Sequence, residues 1–417
     1  MKLLRTAGRA QEAIAAITDR RNAPYERVLP QARRIVDSMR RGGDAALLRL
    51  RSRFDGISPQ SPLRIPEVEL QLAWESTPEP MRQALKTAAR NIRAFAVRQR
   101  PKDFDLKPAP GVTTGQRVIA LASVGCYVPG GRYPLPSTLL MTVIPAQVAG
   151  VERIVAVSPH PAKETLAAAF LLGVSEFYRV GGSQAIAALA YGTESIPRVD
   201  KIAGPGNAWV TAAKKVVAFD CAIDMLAGPT EAVVTSEIGD PAFIAADLVA
   251  QAEHDPDALP IFITTQPSLA KAVIAEVKQR SRGNKIATAA ITNHGLAIVA
   301  RSLDEAHELT NRIAPEHLTV DSAADLAWVR NAGSVFIVRW SAQPLGDYVS
   351  GPNHTLPTSG LARVRGGLSV FDFVKLVTVQ EYSERGVQQL GPAAIRLAQA
   401  EGLEAHAEAV RLRGVRG

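Results

Sequence analysis

Short β-branched runs alternate with Ala-rich amphipathic segments along the chain from about residue 150 onward. Apolar positions recur every three to four residues in the amphipathic segments, as in helices, whereas the short runs are typical of buried strands. This alternation predicts a parallel sheet with crossover helices. The predicted strands are Arg153–Val157, Glu176–Val180, Lys201–Ala203, Glu231–Thr235, Pro260–Thr264, Leu296–Val299 and Val335–Val338. The predicted helices are Ala162–Leu172, Gln184–Tyr191, Ala208–Ala218, Pro241–His254, Leu269–Arg280 and Leu303–Ile313.

The alternation restarts after Gly228, which divides this part of the chain into two arrays. Two arrays predict two doubly wound domains with a cleft between them, and ligands in such folds bind at the carboxyl ends of the strands. The fold class is therefore α/β: two Rossmann-like doubly wound domains, a helical N-terminal segment and a small C-terminal helical extension. The helices predicted outside the arrays are Val28–Arg40, Ala45–Phe54, Met81–Arg100 and, past about Val370, Pro392–Ala400 and Leu403–Val410.

The composition is that of a globular protein, with 47% hydrophobic and 21% charged residues. This content of aliphatic residues excludes intrinsic disorder over the bulk of the chain. No uninterrupted apolar stretch approaches the roughly 18 residues that span a bilayer, and Met1–Ala10 lacks the apolar core of a signal peptide. The sequence has two cysteines, Cys126 and Cys221, which suits a reducing cytoplasm.

The net charge of +8 raises nucleic acid as a partner, but the distribution of charge argues against one. Residues 1–110 carry 22 Lys and Arg against 12 Asp and Glu, a net charge of +10, so the remainder carries −2. The basic residues are interspersed along helix-like segments and form no block of like charges. No zinc finger, ribonucleoprotein motif or basic zipper accompanies them. A basic nucleic-acid-binding protein with a vestigial site is the alternative from a different functional class.

Two pairs of side chains are suited to metal binding or proton transfer. Gln251 and His254 lie three residues apart on one face of a predicted helix end, and both can ligate a metal. Such a pair is more often a helix cap or a surface face. Glu316 and His317 place a carboxylate beside an imidazole, as two proton transfers in one site require. On a regular strand, however, these two side chains would point to opposite faces.

Three further segments give weaker signals. The loop Leu345–His354 is dense in Gly, Asp, Asn and His, and loops of this composition more often carry function than packing. Gly204–Asn207 follows a predicted strand and precedes a helix, so its N–H groups can face a phosphate, but it lacks the third glycine of a dinucleotide fingerprint. His406 lies on the predicted last helix, where its pattern favours a solvent-facing residue.

In their order and intervals, these stretches resemble the histidinol dehydrogenase family over roughly residues 20–410. The resemblance implies an NAD-linked four-electron oxidation of L-histidinol, through L-histidinal, to L-histidine, the last steps of histidine biosynthesis. The motifs that carry it are Tyr127–Gly131, Val180–Ala185, Gly204–Asn207, Ala227–Glu231, Gln251–Asp255, Pro315–Leu318, Gly346–His354 with Leu356–Thr358, and Glu401–His406.

The resemblance also implies one Zn²⁺ per subunit, held by Gln251, His254, Asp347 and His406. The two imidazole nitrogens, the carboxylate oxygen and the amide oxygen of these residues are suitable zinc ligands. The imidazole and amine of the substrate would complete the coordination. In the family the C-terminal histidine comes from the partner subunit. The resemblance therefore implies a homodimer with shared active sites.

The family's motif positions imply the remaining roles. His317 is expected to be the general base of alcohol oxidation, and Glu316 is expected to activate the water that adds to the aldehyde. For both side chains to face one carbon, the chain after Pro315 must form a turn or a helix start rather than a regular strand. The residues expected to bind substrate are Thr230, Gln251, His254, His317, Asp347, His354, Glu401 and His406. The residues expected to bind NAD are Tyr127, Gln184 and Asn207.

Two positions depart from the family pattern: Thr230 stands where most members have Ser, and Pro352 replaces a frequent Thr. Relatives of the fold oxidise other small polar alcohols, and a sulfonated propanediol is the alternative substrate. Glu401 suits a cationic substrate better than a sulfonate, which favours histidinol.

The expected division follows from the resemblance. Residues 1–19 form an N-terminal helical arm, and residues 20–126 with 230–368 form the catalytic, metal-side domain. Residues 127–229 form the NAD-side domain, and residues 369–417 form a helical dimerisation extension. We expect a cytoplasmic enzyme without a nucleic-acid or membrane partner.

Overall fold

Strands and helices alternate along the chain in the computed structural model, which describes residues 1–6, 12, 15–17, 23–130, 133–337 and 340–415. The strands are β1 (Lys2–Arg5), β2 (Phe104–Ala109), β3 (Val112–Ala120), β4 (Ser123–Tyr127), β5 (Arg153–Val157), β6 (Glu176–Tyr178), β7 (Lys201–Ala203), β8 (Ala222–Ile223), β9 (Glu231–Thr235), β10 (Leu259–Thr264), β11 (Leu296–Val299), β12 (His317–Val320), β13 (Ser334–Ile337) and β14 (Val374–Tyr382). The helices are α1 (Ala23–Glu26), α2 (Leu29–Asp55), α3 (Glu67–Ser76), α4 (Glu79–Gln99), α5 (Pro136–Ala149), α6 (Lys163–Leu171), α7 (Gly182–Tyr191), α8 (Ala208–Val217), α9 (Pro241–Ala252), α10 (Pro267–Arg280), α11 (Lys285–Asn293), α12 (Leu303–Ile313), α13 (Gln343–Tyr348), α14 (Glu384–Ala400) and α15 (Glu404–Arg411).

Two parallel sheets form the framework of the molecule. The five-stranded sheet has the order β6-β5-β4-β7-β8, and the six-stranded sheet has the order β1-β11-β10-β9-β12-β13. With β1 set aside, each sheet has the order 3-2-1-4-5 when its own strands are numbered along the chain. This is the order of a Rossmann-like fold, in which the topological switch lies beside the first strand. The predicted fold class is confirmed.

The central strands are apolar at nearly every position because helices cover both faces of each sheet. All residues of β9 and β10 are buried, and Phe262 is among the largest fully buried side chains. Phe177 of β6 is the corresponding aromatic residue of the five-stranded sheet. Burial of one such side chain stabilises the fold by about 1.5–3 kcal/mol. The core therefore fixes the two sheets and, through them, the loops at their ends.

The long N-terminal helices pack on the five-stranded sheet. Val36 and Leu47 of α2 share a core with Val155 of β5 and Ile186 of α7, and Ile92 of α4 packs in a second core of the same sheet. Strand β4 also belongs to this sheet. The expected division, which joined residues 20–126 to the six-stranded sheet, is wrong for these elements. An amphipathic pattern shows that a helix has an apolar face but not which sheet that face covers.

Two segments expected to be helical are strands. Lys2–Arg5, within the expected helical arm of residues 1–19, forms β1 and pairs in parallel with β11. Val374–Tyr382, in the expected helical extension, forms β14 and pairs antiparallel with β3 in a three-stranded sheet of order β14-β3-β2. A four-residue edge strand has too few positions to show a period, and β14 is exposed along most of its length, so it has no buried stripe. Residues 7–11, 13–14 and 18–19 of the arm, Gly131 of the first motif and Val338 of the last predicted strand lie outside the described residues.

Candidate active site

A cavity of about 690 Å³ lies between the two parallel sheets. It meets the five-stranded sheet at the carboxyl ends of its strands, where Tyr127 ends β4 and Asn207 follows β7. It meets the six-stranded sheet at the amino ends, where Thr230 precedes β9 and His317 begins β12. The cavity therefore lies at the carboxyl ends of the first sheet, where ligands were expected, but at the amino ends of the second. The short connection from β8 leads directly into β9, so β9 begins beside the carboxyl edge of the other sheet.

The described residues place ten of the twelve predicted site residues in the lining of this cavity. They are Tyr127, Gln184, Asn207, Thr230, Gln251, His254, Glu316, His317, Asp347 and His354. Glu401 and His406 do not line it. Both are exposed on the pair formed by α14 and α15, which has its own small core around Ile395, Ala407 and Val415.

Glu316 and His317 lie side by side where the chain turns into β12. Ala314 ends α12 in the left-handed conformation (φ 52°) and Pro315 follows, so Glu316 lies in a bend and His317 is the first strand residue. Glu316 Oε2 is 3.6 Å from His317 Nδ1, and both side chains are buried. The alternative in which they point to opposite faces is wrong, because strand alternation starts only after Glu316.

The carboxylate of Glu316 is fixed at the start of β9. Its Oε2 accepts hydrogen bonds from Thr230 Oγ1 (2.5 Å) and from the N–H of Glu231 (3.0 Å). Thr230 Oγ1 also lies 3.3 Å from Gln251 Oε1, but a hydroxyl has one proton to donate. The hydroxyl of Thr230, at the position where the resemblance implies a serine, therefore donates to the carboxylate of Glu316.

Asp347 of α13 connects His317 to Gln251. Its Oδ1 lies 3.2 Å from His317 Nε2, and its Oδ2 accepts from Gln251 Nε2 at 3.0 Å. Burial lowers the pKa of His317, but the charge of Glu316 and the hydrogen bond to Asp347 outweigh burial and raise that pKa to about 10. Burial would raise the pKa of Asp347, yet the hydrogen bond from His317 brings it below its usual value. His317 is thus held between two carboxylates.

Gln251 and His254 lie at the end of α9. The helix ends at Ala252, two residues earlier than predicted, but the N–H of His254 still bonds to the carbonyl oxygen of Gln251 (3.3 Å). His254 and Asp347 both line the cavity, and a positive charge on His254 would help to lower the pKa of Asp347. Among the described residues, no group of three or more His, Cys, Asp and Glu side chains could hold a metal by itself. A set that includes a glutamine amide oxygen, an imidazole and a carboxylate still fits zinc.

His354 contacts the site through both ring nitrogens. Its Nδ1 lies 2.7 Å from the carbonyl oxygen of Asp347, and its Nε2 lies 3.4 Å from Thr138 Oγ1. Burial lowers the pKa of His354, which favours the neutral ring at pH 7. Thr138 also lines the cavity but was missed by the sequence analysis, because it lies in an apolar helix with no polar motif around it.

A buried ion pair holds the loop Gly204–Asn207. Lys214 Nζ donates to the carbonyl oxygen of Gly204 (2.6 Å) and to Asp224 Oδ1 (2.6 Å), while Asp224 Oδ2 accepts from the N–H of Gly204 (2.8 Å). Gly204 has φ +116°, and a Cβ there would overlap the carbonyl oxygen of Tyr127. Asn207 Oδ1 caps α8 by accepting from N–H groups of its first turn. A ligand would therefore meet the amide NH₂ of Asn207.

Asp55, the last residue of α2, is a second lining residue that the sequence analysis missed. Its carboxylate accepts from the N–H of Gly181 (3.0 Å) and from Gln184 Nε2 (3.1 Å). The available signal was an Asp directly before Gly56, which ends the helix in the left-handed conformation. That signal indicates a helix end but not a ligand.

The chain matches known proteins over nearly its whole length. A family model for histidinol dehydrogenase matches residues 18–414. The chain belongs to the histidinol dehydrogenase family. The histidinol dehydrogenase of Geobacillus kaustophilus (strain HTA426) is 47% identical to it over 396 residues, which are 92% of this chain and 93% of that relative. That of Gluconobacter oxydans (strain 621H) is 44% identical over 99% of both chains.

A solved structure agrees with this membership. The crystal structure of histidinol dehydrogenase from Elizabethkingia anophelis has a TM-score of 0.91 to this chain at 33% identity, covering 99% of this chain and 98% of that one. The predicted family, activity and enzyme class are confirmed: the chain is an NAD-dependent oxidoreductase of histidine biosynthesis, in a family that uses NAD and zinc. Among the helices that the structure describes, none has the length and apolarity needed to cross a membrane.

Proposed function

We propose that the cavity between the two sheets is the site where L-histidinol is oxidised to L-histidine. The observation that carries the proposal is that one cavity joins the residues matching the family's NAD positions to those matching its metal and catalytic positions. The five-stranded sheet is then the NAD side, with Tyr127, Gln184 and Asn207 along its carboxyl edge. The six-stranded sheet is the metal side.

Because both cysteines are buried thiols, the enzyme is suited to the cytoplasm.

The two catalytic residues have separate tasks. His317 takes the proton of the alcohol as hydride leaves to NAD, and Glu316 activates the water that adds to the aldehyde. A base must be neutral to accept a proton, and the pKa of about 10 describes His317 facing two carboxylates. With a divalent cation bound, the charge of Asp347 would be offset and the pKa of His317 would be lowered.

Gln251, His254 and Asp347 would hold zinc on the wall next to His317. When bound, zinc supplies a Lewis acid that orients and polarises the substrate. Thr230 and His354 flank this wall, since the hydroxyl of Thr230 contacts Gln251 and the ring of His354 contacts the backbone of Asp347. The hydrogen bond from Gln251 Nε2 to Asp347 Oδ2 (3.0 Å) orients these two ligand side chains, and the contact of His354 holds the backbone of Asp347.

We further propose a homodimer in which α14 and α15 of one subunit complete the site of the other. Glu401 and His406 match family site positions but are exposed outside the cavity of their own subunit. Leu397 of α14 (66%) and Leu412, directly after α15 (77%), are exposed beside them. A partner subunit that covers these leucines would bring Glu401 and His406 to a second cavity.

The metal assignment is tested by the zinc content of His254→Ala. After dialysis, the variant should contain no zinc by mass spectrometry and should not reduce NAD, while its helical circular dichroism stays unchanged. His294→Ala is the matched control, because His294 is a histidine outside the cavity that contacts Asp257. It should retain one zinc per subunit. Full zinc occupancy in His254→Ala would overturn the ligand assignment.

The substrate assignment is tested by NADH formation from a panel of amino alcohols and sulfonated diols. L-Histidinol should have the highest kcat/KM, because its cationic amine suits Glu401. Glu401→Gln should reduce kcat/KM for histidinol more than for an uncharged alcohol. A sulfonated propanediol that is turned over faster than histidinol would contradict the assignment.

A further inference from the structure

The five-stranded sheet has no acidic residue at the place where many dinucleotide-binding folds have one. In those folds an Asp or Glu about 20 residues after the glycine-rich turn, near the end of the second strand, bonds to the adenosine ribose. The second strand in the order 3-2-1-4-5 is β5, which ends at Val157. Ser158, Pro159 and His160 follow, and none of them is acidic.

Asp55 reaches this place from a different element. Its Oδ2 accepts from the N–H of Gly181, which follows β6, the third strand. Its carbonyl oxygen lies 2.7 Å from Nε2 of His160, which follows β5. The end of α2 is therefore fastened to the carboxyl ends of the second and third strands, and the carboxylate of Asp55 lines the cavity there.

We propose that the carboxylate of Asp55 binds the adenosine ribose hydroxyls of NAD and excludes the 2′-phosphate of NADP. An ionised carboxylate has about four lone-pair directions. Gly181 and Gln184 occupy up to three of them, at 3.0, 3.1 and 3.2 Å, so acceptor capacity is left for a hydroxyl. Phe54 and Pro159, chain neighbours of Asp55 and His160, line the same cavity and give it apolar walls for a base.

The charges around Asp55 favour a ribose without phosphate. A 2′-phosphate would bring about −1.5 to −2 charges next to a carboxylate. The buried guanidinium of Arg51 is directed elsewhere, since it donates to the carbonyl oxygens of Ser58 (2.9 Å) and Ser61 (2.6 Å), and it does not line the cavity. The ring of His160 is used in the bond to the backbone of Asp55. Since none of the described residues that line the cavity is a Lys or Arg, the carboxylate of Asp55 would repel the 2′-phosphate of NADP.

The test compares the binding of ADP-ribose with that of its 2′-phosphate to the zinc-loaded enzyme, by calorimetry. The wild type should bind ADP-ribose at least about 100-fold more tightly, because like charges in a partly buried site repel strongly. Asp55→Asn keeps a side-chain oxygen for the N–H of Gly181 but loses the charge. In this variant the ratio of the affinity for ADP-ribose to the affinity for its 2′-phosphate should fall at least about tenfold. The ratio of kcat/KM for NAD over NADP should fall in parallel.

Asp44→Asn is the matched control. Asp44 lies on the same helix, and its carboxylate also accepts from a backbone N–H, that of Ser195 (3.3 Å), but it does not line the cavity. The preference for ADP-ribose should not change in this variant. Should Asp55→Asn fail to fold, Asp55→Ser tests the same loss of charge with a smaller acceptor.

Two outcomes would overturn the inference in different ways, since it rests on the proposed placement of NAD along Tyr127, Gln184 and Asn207. If Asp55→Asn weakened both ligands equally, Asp55 would be only an anchor of the turn at Gly181. Gln184→Ala tests the placement itself and should weaken ADP-ribose and its 2′-phosphate together. If neither Gln184→Ala nor Asp55→Asn changed any affinity, the placement of NAD would fail.

Discussion

At the scale of residues, the neighbours Glu316 and His317 are held by different parts of the six-stranded domain. Glu316 is fixed by Thr230 and the N–H of Glu231 at the start of β9, whereas His317 is fixed by Asp347 in α13. A substitution of Glu316 therefore leaves the contact of His317 with Asp347 in place, although it removes a charge that raises the pKa of His317. The separate positioning of the two side chains allows the two oxidation steps to be compared by mutation.

Glu316→Gln is expected to block the second oxidation far more than the first. Removal of a general base typically costs about 10²–10⁴ in rate. Single turnovers with histidinol should still release close to one NADH, while oxidation of added histidinal should slow by that factor. His317→Ala should slow the first hydride transfer itself. Stopped-flow absorbance of NADH measures both.

Glu276→Gln serves as the control, because Glu276 pairs with Arg280 on the surface of α10, outside the cavity. Both oxidation steps should keep their wild-type rates in that variant. If Glu316→Gln slowed the two steps equally, Glu316 would orient His317 rather than activate water.

Sequence analysis predicted ten of the cavity-lining residues because each lies in a motif whose order and spacing resemble those of the family. It did not identify Asp55 or Thr138, since their roles depend on contacts with distant parts of the chain. Asp55 meets Gly181 across 126 residues, and Thr138 meets His354 across 216. No local pattern distinguishes such residues from an ordinary helix end or an apolar helix.

At the scale of elements, the ion pair of Lys214 and Asp224 joins α8 to the loop after β7 and to the segment after β8. Their side chains are only 4% and 1% exposed. Lys214→Met would leave a buried carboxylate without its partner, which typically costs 3–5 kcal/mol, or about 4 kcal/mol here. We expect this loss in urea unfolding, together with a higher KM for NAD at a nearly unchanged kcat, because the pair holds the loop of Gly204 and Asn207.

The double variant Lys214→Met/Asp224→Asn separates charge from packing. Removing both charges should restore more than half of the lost free energy of unfolding, since an isolated buried charge is the main cost. The KM for NAD should stay raised, because the bond from Lys214 to the carbonyl oxygen of Gly204 is still missing. If the double variant were no more stable than Lys214→Met, the unpaired charge of Asp224 would not be the cause of the lost stability.

Glu305 of α12 bonds to Thr6, which directly follows β1 at the edge of the six-stranded sheet. The pKa of Glu305 is lowered to about 2 by its hydrogen bonds. The donors are the guanidinium of Arg301, the backbone N–H of Arg301 and Thr6 Oγ1 (2.7 Å). The contribution to stability is therefore fully present above the pKa of the unfolded chain, about 4.3, and is lost as pH falls through about 2. Because Arg301 is 75% exposed and screened by solvent, Glu305→Gln should cost no more than about 1 kcal/mol at pH 7.

Urea unfolding of wild type and Glu305→Gln at pH 7, 4 and 3 measures this linkage. The difference between them should shrink as pH falls below about 4. Arg301→Gln, which removes the partner, should show the same trend. If the difference in unfolding free energy between wild type and Glu305→Gln did not depend on pH, the contacts with Arg301 and Thr6 would not favour the ionised form of Glu305.

Most helices and strands of the two arrays were predictable because they are long enough, and buried enough, to show a period. β9, β11 and α12 begin and end at the predicted residues. β1 and β14 were not predictable, since the first has four residues and the second lies mostly in solvent. The sheet on which α2 packs depends on the meeting of distant surfaces, which a local pattern does not describe.

At the scale of the whole molecule, the two sheets face the cavity with opposite edges. One contributes the ends of β4 and β7, and the other contributes the starts of β9 and β12. The general rule for Rossmann-like folds concerns a single sheet and its carboxyl edge. Sequence analysis applied that rule to both sheets and could not foresee the arrangement, because it follows from how the short connection after β8 joins them.

The exposed pair of α14 and α15 leads to the last prediction, which concerns the dimer. A His406→Ala subunit and a Glu316→Gln/His317→Ala subunit should each be inactive as homodimers. Mixed at equal amounts and refolded together, they should regain about a quarter of wild-type activity, since half of the dimers are hybrids and each hybrid has one of its two sites intact. Native mass spectrometry confirms the hybrids. Hybrids that form without any recovered activity would show that each site is built from a single chain, and that Glu401 and His406 have another role.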